Sequence, residues 1–255
     1  MYRAAVDPLV IALLTITAFL AGIVDAIAGG GGLITLPALL TAGLAPHAAL
    51  GTNKGQSVWG SGAALATFWR AGAVDRAQAR LAFPLGLLGS AIGAQLVLMI
   101  DKDALKPVVI AMLIGAAALL VIRKPVGDDA AAERTRRVVV LAALLAFVIG
   151  AYDGFFGPGT GTFLIVGFVA LCGKPLTRAT ADAKVVNFAS NLASLAAFAI
   201  AGTVVWQVAL PMAAGQLLGG VLGARLAIQG GARLIRIAVL VVSGALVVNL
   251  LRDLI

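Results

Sequence analysis

Long apolar stretches, separated by short polar or glycine-rich punctuation, run through the whole chain. Residues 8–23, 81–100, 108–122, 138–152, 185–223 and 237–251 carry no charged side chain. Several reach or approach the ~20 residues that cross a bilayer as a helix. Each half divides into five apolar segments: 8–28, 33–44, 48–71, 79–99 and 105–122, then 136–156, 160–172, 180–202, 204–226 and 232–251. The second segment of each half is short, and a dozen helical residues cover only about 18 Å. Segments 33–44 and 160–172 therefore read as half-helices lining a cavity and continued by non-helical chain. The fold expected is all-α, a polytopic transmembrane helical bundle of ten hydrophobic segments. Eight crossing helices plus two re-entrant segments are the alternative.

Composition agrees with lipid as the solvent. The 255 residues are 61% hydrophobic and 12% charged, with a mean hydropathy of +1.06. A soluble domain is about half apolar and about a quarter charged. No single soluble core hides such an excess, because a globule must clothe its surface in polar groups. The formal charge of +8 raises nucleic acid as a partner, but the basic residues lie scattered between apolar runs without interleaved aromatics. The positive-inside rule accounts for them better. With ten crossings, Arg70, Arg76, Arg80, Arg123, Lys124, Arg134, Arg136, Arg137, Lys174, Arg178, Arg225, Arg233 and Arg236 share one side, which should be cytoplasmic. Only Arg3, Lys102, Lys106 and Arg252 fall on the other. With eight crossings the two sets are nearly even, which favours ten segments with both termini outside. The single cysteine, Cys172, rules out a disulfide framework and a cysteine-only metal site. The lone His47, beside Pro46, reads as a loop histidine. The first apolar run leads into Asp25 and glycines rather than a cleavage site, so it reads as a membrane helix and not a signal peptide.

The two halves repeat each other. GIVDAIAGGGG at 22–32 aligns with GAYDGFFGPGTG at 150–161, setting Asp25 on Asp153, Gly29 on Gly157 and Gly31 on Gly159. A lysine in apolar surroundings follows in each, Lys54 and Lys184. Phe68, Gly72 and Val74 then match Phe198, Gly202 and Val204. Gly89, Gly93 and Ala94 match Gly219, Gly223 and Ala224. A nearly constant offset points to duplication: a first transmembrane repeat over 1–122, a polar cytoplasmic linker over 123–135 and a second repeat over 136–255. An odd number of crossings per repeat inverts the second relative to the first, an architecture recurrent in secondary transporters.

Charged groups at membrane depth cost a few kcal/mol or more and normally face a cavity or a partner. Asp25, Lys54, Asp153 and Lys184 are such groups. The functional reading gives the lysines an anion, and gives Asp25 and Asp153 a coupled proton or the task of orienting a lysine. The plainer reading is an internal ion pair that fixes packing. Gly29, Gly30, Gly31 and Gly32 end one helix and open another, as do Gly157, Gly159, Thr160 and Gly161. Helix N-termini at such breaks aim free N–H groups and the positive dipole end at an anion. Breaks of this kind survive in a membrane only when buried or lining water; close helix packing is the alternative use of the glycines. Lys184, Asn187 and Asn191 share one helical face, and Lys54, Ser57 and Ser61 repeat it. That stripe suits a permeation path, or else helix–helix hydrogen bonding. Asn53 precedes Lys54 and need not share its face. Neither glycine cluster has nucleotide-loop spacing, and HExxH, GxSxG and paired Cys/His sites are absent from the sequence.

At these residues the chain resembles the TauE/SafE family of sulfite exporters, the toluene sulfonate uptake permease family. The resemblance covers essentially the whole chain. It is carried by GIVDAIAGGGGLITLPALL, HAALGTNKGQSVWGSGAALATFWRAGAVD, GAYDGFFGPGTGTFLIVGFVALCG and ATADAKVVNFASNLASLAAFAIAGTVVW. GTNKG in the first half lacks the second asparagine stripe, so the halves are not chemically equivalent. The resemblance implies a multi-pass carrier of the bacterial inner (plasma) membrane. Its expected substrates are small inorganic or organic anions such as sulfite, sulfoacetate or another organosulfonate. Asp25, Gly29, Gly31, Asn53, Lys54, Asp153, Gly157, Gly159, Lys184, Asn187 and Asn191 are its motif positions. The expected partners are the anion, the lipid bilayer and coupled protons or cations; no cofactor, metal or nucleic acid is expected, and the sequence leaves the oligomeric state open. The leading function is secondary transport of the anion, with a passive anion channel as the alternative and an intramembrane enzyme a distant third.

Overall fold

The computed structural model describes residues 7–101, 104–105, 107–109, 111–112 and 135–254. These form helices α1 (Pro8–Ala28), α2 (Gly32–Thr41), α3 (Pro46–Arg70), α4 (Arg76–Leu98), α5 (Arg136–Phe155), α6 (Thr160–Cys172), α7 (Leu176–Ile200) and α8 (Trp206–Leu254). No strand occurs among the described residues. The expected segment 105–122 and the linker 123–135 lie almost entirely outside them. α8 covers the last two expected segments and is broken at Gly231, with φ 54° and ψ −155°. Among the described residues, five helices are long and apolar enough to cross a bilayer, α1, α4, α5, α7 and the part of α8 up to Gly231; α2 and α6 are short apolar helices.

Local signals set the starts. Asp7, Asp75 and Thr135 cap α1, α4 and α5 by accepting from backbone N–H groups of the first turn, which satisfies donors that have no partner inside the helix. Pro8 and Pro46 occupy first turns, where the missing N–H costs nothing. His47 corrects an expectation. It stands in the first turn of α3, not in a loop, and is buried with Nε2 3.2 Å from the Val97 carbonyl.

Glycines bring α1 onto α8 and α5 onto α4. Any Cβ on Gly215, Gly219 or Gly223 would collide with the α1 backbone at Thr15, Phe19 or Ile23. Gly89 and Gly93 meet Phe147 and Ala151 of α5 in the same way. α3 and α7 lie inside, each touching both α4 or α8 and the other. The outer helices turn Leu9, Leu13, Ile16 and Leu20, or Leu88, Ile92 and Leu96, outward with half or more of each side chain exposed. Such stripes are stable against lipid and untenable against water. Helices of this length with such outer faces make a multi-pass helical membrane protein.

Two apolar clusters lie at opposite ends of the bundle. One holds Phe68, Val74, Leu164, Phe168 and Leu176. The other holds Leu36, Leu39, Leu50, Phe198 and Val208. Described cations gather at the first end: Lys174 bonds Asp75 and Asp182, Arg178 donates to Gly72 and Ala73 carbonyls, and Arg76 stacks on Trp69. Between the clusters lies a buried polar layer.

Candidate functional site

The polar layer forms where the two glycine breaks cross. α1 ends at Gly29, held in the left-handed region at φ 81°, and α2 starts after Gly31. α5 ends before Gly157, at φ 98°, and α6 starts after Gly159, at φ 85°. Side chains on L-residues are strained in that region, whereas glycine enters it freely. Crowding adds a second demand. A Cβ on Gly29 would overlap the backbone of Gly161 and Thr162, and a Cβ on Gly161 would overlap Gly29. Thr162 Oγ1 donates to the Ala28 carbonyl at 2.7 Å, closing the end of α1. The two breaks thus touch, and the N-terminal turns of α2 and α6 both face the layer.

Each lysine reaches the aspartate of the other half. Lys54 Nζ on α3 lies 2.9 Å from Asp153 Oδ1 on α5, and Lys184 Nζ on α7 lies 2.8 Å from Asp25 Oδ2 on α1. Both lysines are among the largest fully buried side chains of the protein. Lys54 also donates to Asn191 Oδ1 at 3.3 Å. Asp153 accepts further bonds from Thr160 Oγ1, at 2.9 Å, and from Ser190 Oγ. Asp25 Oδ1 accepts from the Gly31 N–H at 3.3 Å, and Lys184 Nζ also donates to the Asp25 carbonyl. Two ammonium groups and two carboxylates leave the layer formally neutral. Neither lysine is an unpaired cation: each stands in an internal ion pair.

Between the pairs lies a small cavity of about 20 Å³, room for one or two water-sized groups. Asp25, Lys54, Asp153, Gly29, Gly32, Gly157 and Gly161 line it. Asn53, Ser57, Asn187, Asn191 and Gln216 complete the wall. Eleven of the sequence-derived candidates therefore share one cavity. Five others stand behind it. Lys184 donates to Asp25, the Gly31 amide is held by Asp25, the Gly30 carbonyl accepts from Leu33 N, Gly159 caps α6, and Thr160 donates to Asp153. Asn53 is fixed by Thr35 Oγ1 at 2.6 Å and Gln56 Nε2 at 2.9 Å.

Gln216 and Thr35 escaped the sequence reading. Gln216 is the more telling. It is 3% exposed, lines the cavity, and its side-chain oxygen has no hydrogen-bond partner among the described residues. Gly22 and Gly60 leave the space it fills. An amide deep within the charge-free run 185–223 was the available signal. No group of side chains suited to hold a metal ion occurs among the described residues.

Comparison with known proteins gives a consistent picture. Residues 14–250 match the family described as Sulfite exporter TauE/SafE. The chain is 40% identical over 243 residues to "Probable membrane transporter protein ORF9" of Sinorhizobium sp, covering 95% of this chain and 93% of that protein. It is 39% identical over 248 residues to "Probable membrane transporter protein YfcA" of Escherichia coli K12, covering 97% and 92%. A "Probable membrane transporter protein" of Haemophilus influenzae is 39% identical over 243 residues, covering 95% of each chain. No solved structure matches.

Proposed function

Because the chain belongs to the TauE/SafE family of membrane transporters, we propose that it is a secondary transporter of a small anion, sulfite or an organosulfonate, bound between two inverted repeats. The observation that carries the reading is the pair of crossed lysine–aspartate contacts at the junction of the two glycine breaks. An ammonium group, amides at two helix N-termini and the Asn187 and Asn191 side chains all bind oxyanions well. Reciprocal packing supports two repeats, since α1 meets α8 through the same kind of glycine contact that joins α5 to α4.

The neutral site dictates how an anion enters. A buried charge without a partner is costly, so an anion that takes Lys184 must leave Asp25 protonated or moved. Asp25 takes up a proton as its contact with Lys184 opens, the anion takes that contact, and the layer stays neutral. One proton then accompanies each monoanion, and the reverse steps release both. Asp25 suits this role because its side chain is 19% exposed, against 2% or less for Asp153 and both lysines. The apolar clusters at the two ends serve as the gates, and movement of one repeat against the other opens them in turn.

Flux in proteoliposomes tests this. Sulfite or a short sulfonate is loaded inside, and internal pH and anion loss are followed together. Wild type should move protons with the anion, and Lys184→Ala should lose at least about tenfold in anion flux, the equivalent of one charge-assisted contact. Undiminished flux in Lys184→Ala removes the lysine from the mechanism. Flux that follows membrane potential and ignores the proton gradient makes the protein a channel.

A further inference from the structure

Beside the polar layer, α3, α7 and α8 enclose a second cavity that transport chemistry does not use. Its volume is about 890 Å³, within the ~300–1,000 Å³ typical of small-molecule sites. Trp59, Phe188, Leu192 and Leu217 line it, with Arg70 and Arg225 on its wall. Most of the wall is apolar and faces outward: Trp59 is 49% exposed and Leu192 40%. In a membrane that exposure means contact with acyl chains.

The arginines are what make the cavity more than a lipid-facing recess. Arg70 is the last residue of α3, at the end of the bundle where Lys174, Arg178 and Arg76 gather. Both Arg70 and Arg225 are exposed, and neither has a hydrogen bond or ion pair among the described residues. The positive-inside rule assigns this end to the cytoplasmic leaflet, where anionic headgroups are concentrated. Two free guanidinium groups on an apolar slot complement an amphiphile with one anionic head and long apolar tails. Guanidinium matches the phosphate diester by paired N–H donors. A second protein chain would have to bring an acid to the same depth, whereas phospholipid already surrounds the slot at the highest concentration of any solute, and mass action favours it.

We propose that this cavity is a binding site for an anionic phospholipid, with its phosphate on Arg70 and Arg225 and an acyl chain along Trp59, Phe188 and Leu192. α3 forms part of the cavity wall and also carries Lys54 and Ser57, so an occupied slot braces the helix that bears the polar layer.

Binding is read directly, without transport. Purified full-length protein in a neutral detergent is titrated with phosphatidylglycerol and, separately, with phosphatidylcholine of the same chains. Retained lipid is counted by native mass spectrometry, and thermal stability is recorded. Phosphatidylglycerol should be retained preferentially and should raise the melting temperature more. The double variant R70Q/R225Q should weaken phosphatidylglycerol retention about 30-fold, the worth of two basic contacts at ~1 kcal/mol each. Ala66→Trp, which fills the slot, should lower retention of both lipids. R70K/R225K keeps the charge and guards against misfolding: it should retain much of the preference. Equal retention of both lipids by wild type overturns the proposal, as does a preference that survives in R70Q/R225Q. Glycerol phosphate matching the full shift makes the site one for a free phosphate, and conversion of an oligomer to monomer on filling the slot makes it a contact between copies; either result overturns the lipid assignment.

Discussion

Asp153 and Asp25 stand at matching places, each one helical turn before a glycine break, yet they are held differently. Asp153 accepts from Lys54, Thr160 and Ser190 and is 2% exposed. Asp25 has Lys184 and one backbone N–H, and its side chain is 19% exposed. The partners diverge in the same direction. Lys54 gains a second acceptor in Asn191, while Lys184 leans on the Asp25 carbonyl. A carboxylate held by three donors resists movement, because each bond must break before it can swing. A carboxylate with fewer donors and a more exposed side chain has fewer contacts to break. Two similar motifs thus hold their aspartates with unequal firmness, Asp153 tightly and Asp25 loosely.

The largest effect expected on breaking that contrast comes from the tightly held Asp153. Asp153→Ala leaves Lys54 buried without its counter-ion and should destabilise the protein by roughly 3–5 kcal/mol, seen as lost monodispersity or a strongly lowered unfolding temperature in detergent. K54M/D153L removes both charges and should recover most of that stability while transport stays lost. A single variant as stable as wild type sinks the distinction. Asp25→Asn is the smaller perturbation. It should cost about 1–2 kcal/mol and leave a folded protein. Anion movement in that variant should no longer carry protons, because the amide cannot take one up. Proton-coupled flux through Asp25→Asn moves the coupling role elsewhere.

How far the site could be read in advance follows from the physics of each part. Segment 160–172 is the helix observed, Thr160–Cys172, because a glycine stands at each end of an unbroken apolar run. Helices α3 and α7 begin earlier than the expected 48 and 180, at Pro46 and Leu176, because polar first turns continue a helix beyond its apolar stretch. The four charged residues were legible from the cost of charge among apolar neighbours. Their partners were not. Lys54 pairs with a residue about a hundred positions away, and nothing local distinguishes Asp153 from Asp25 as its mate. Gln216 was missed for a related reason: its importance comes from Gly22 and Gly60, on two other helices, leaving room for it. His47 falls in a helix rather than a loop because Pro46 stands in a first turn, where proline starts a helix.

The contrast recurs, more weakly, at the two ends of the bundle. At the basic end the Asp75 N–H donates to Asp182 Oδ1 at 2.8 Å, and Lys174 Nζ lies 2.5 Å from Asp182 Oδ2 and 3.5 Å from Asp75 Oδ2. At the other end, matching positions use a neutral group: the Val205 N–H donates to Thr52 Oγ1 at 3.0 Å. Both contacts tie one half of the chain to the other, one ionic and one not. Lys174 and Asp75 are partly exposed, while Asp182 is buried and keeps its bond from the Asp75 N–H. Lys174→Met should therefore cost about 1–2 kcal/mol, and raising the salt concentration should shrink the difference from wild type as screening weakens the exposed part of the pair. Thr52→Val should cost a similar ~1 kcal/mol, but by an amount that salt leaves unchanged. Unfolding of both variants at low and high salt separates the two ties. An equal salt response in both erases the difference between the ends, whereas the expected split makes the basic end the one whose closure answers to ionic conditions.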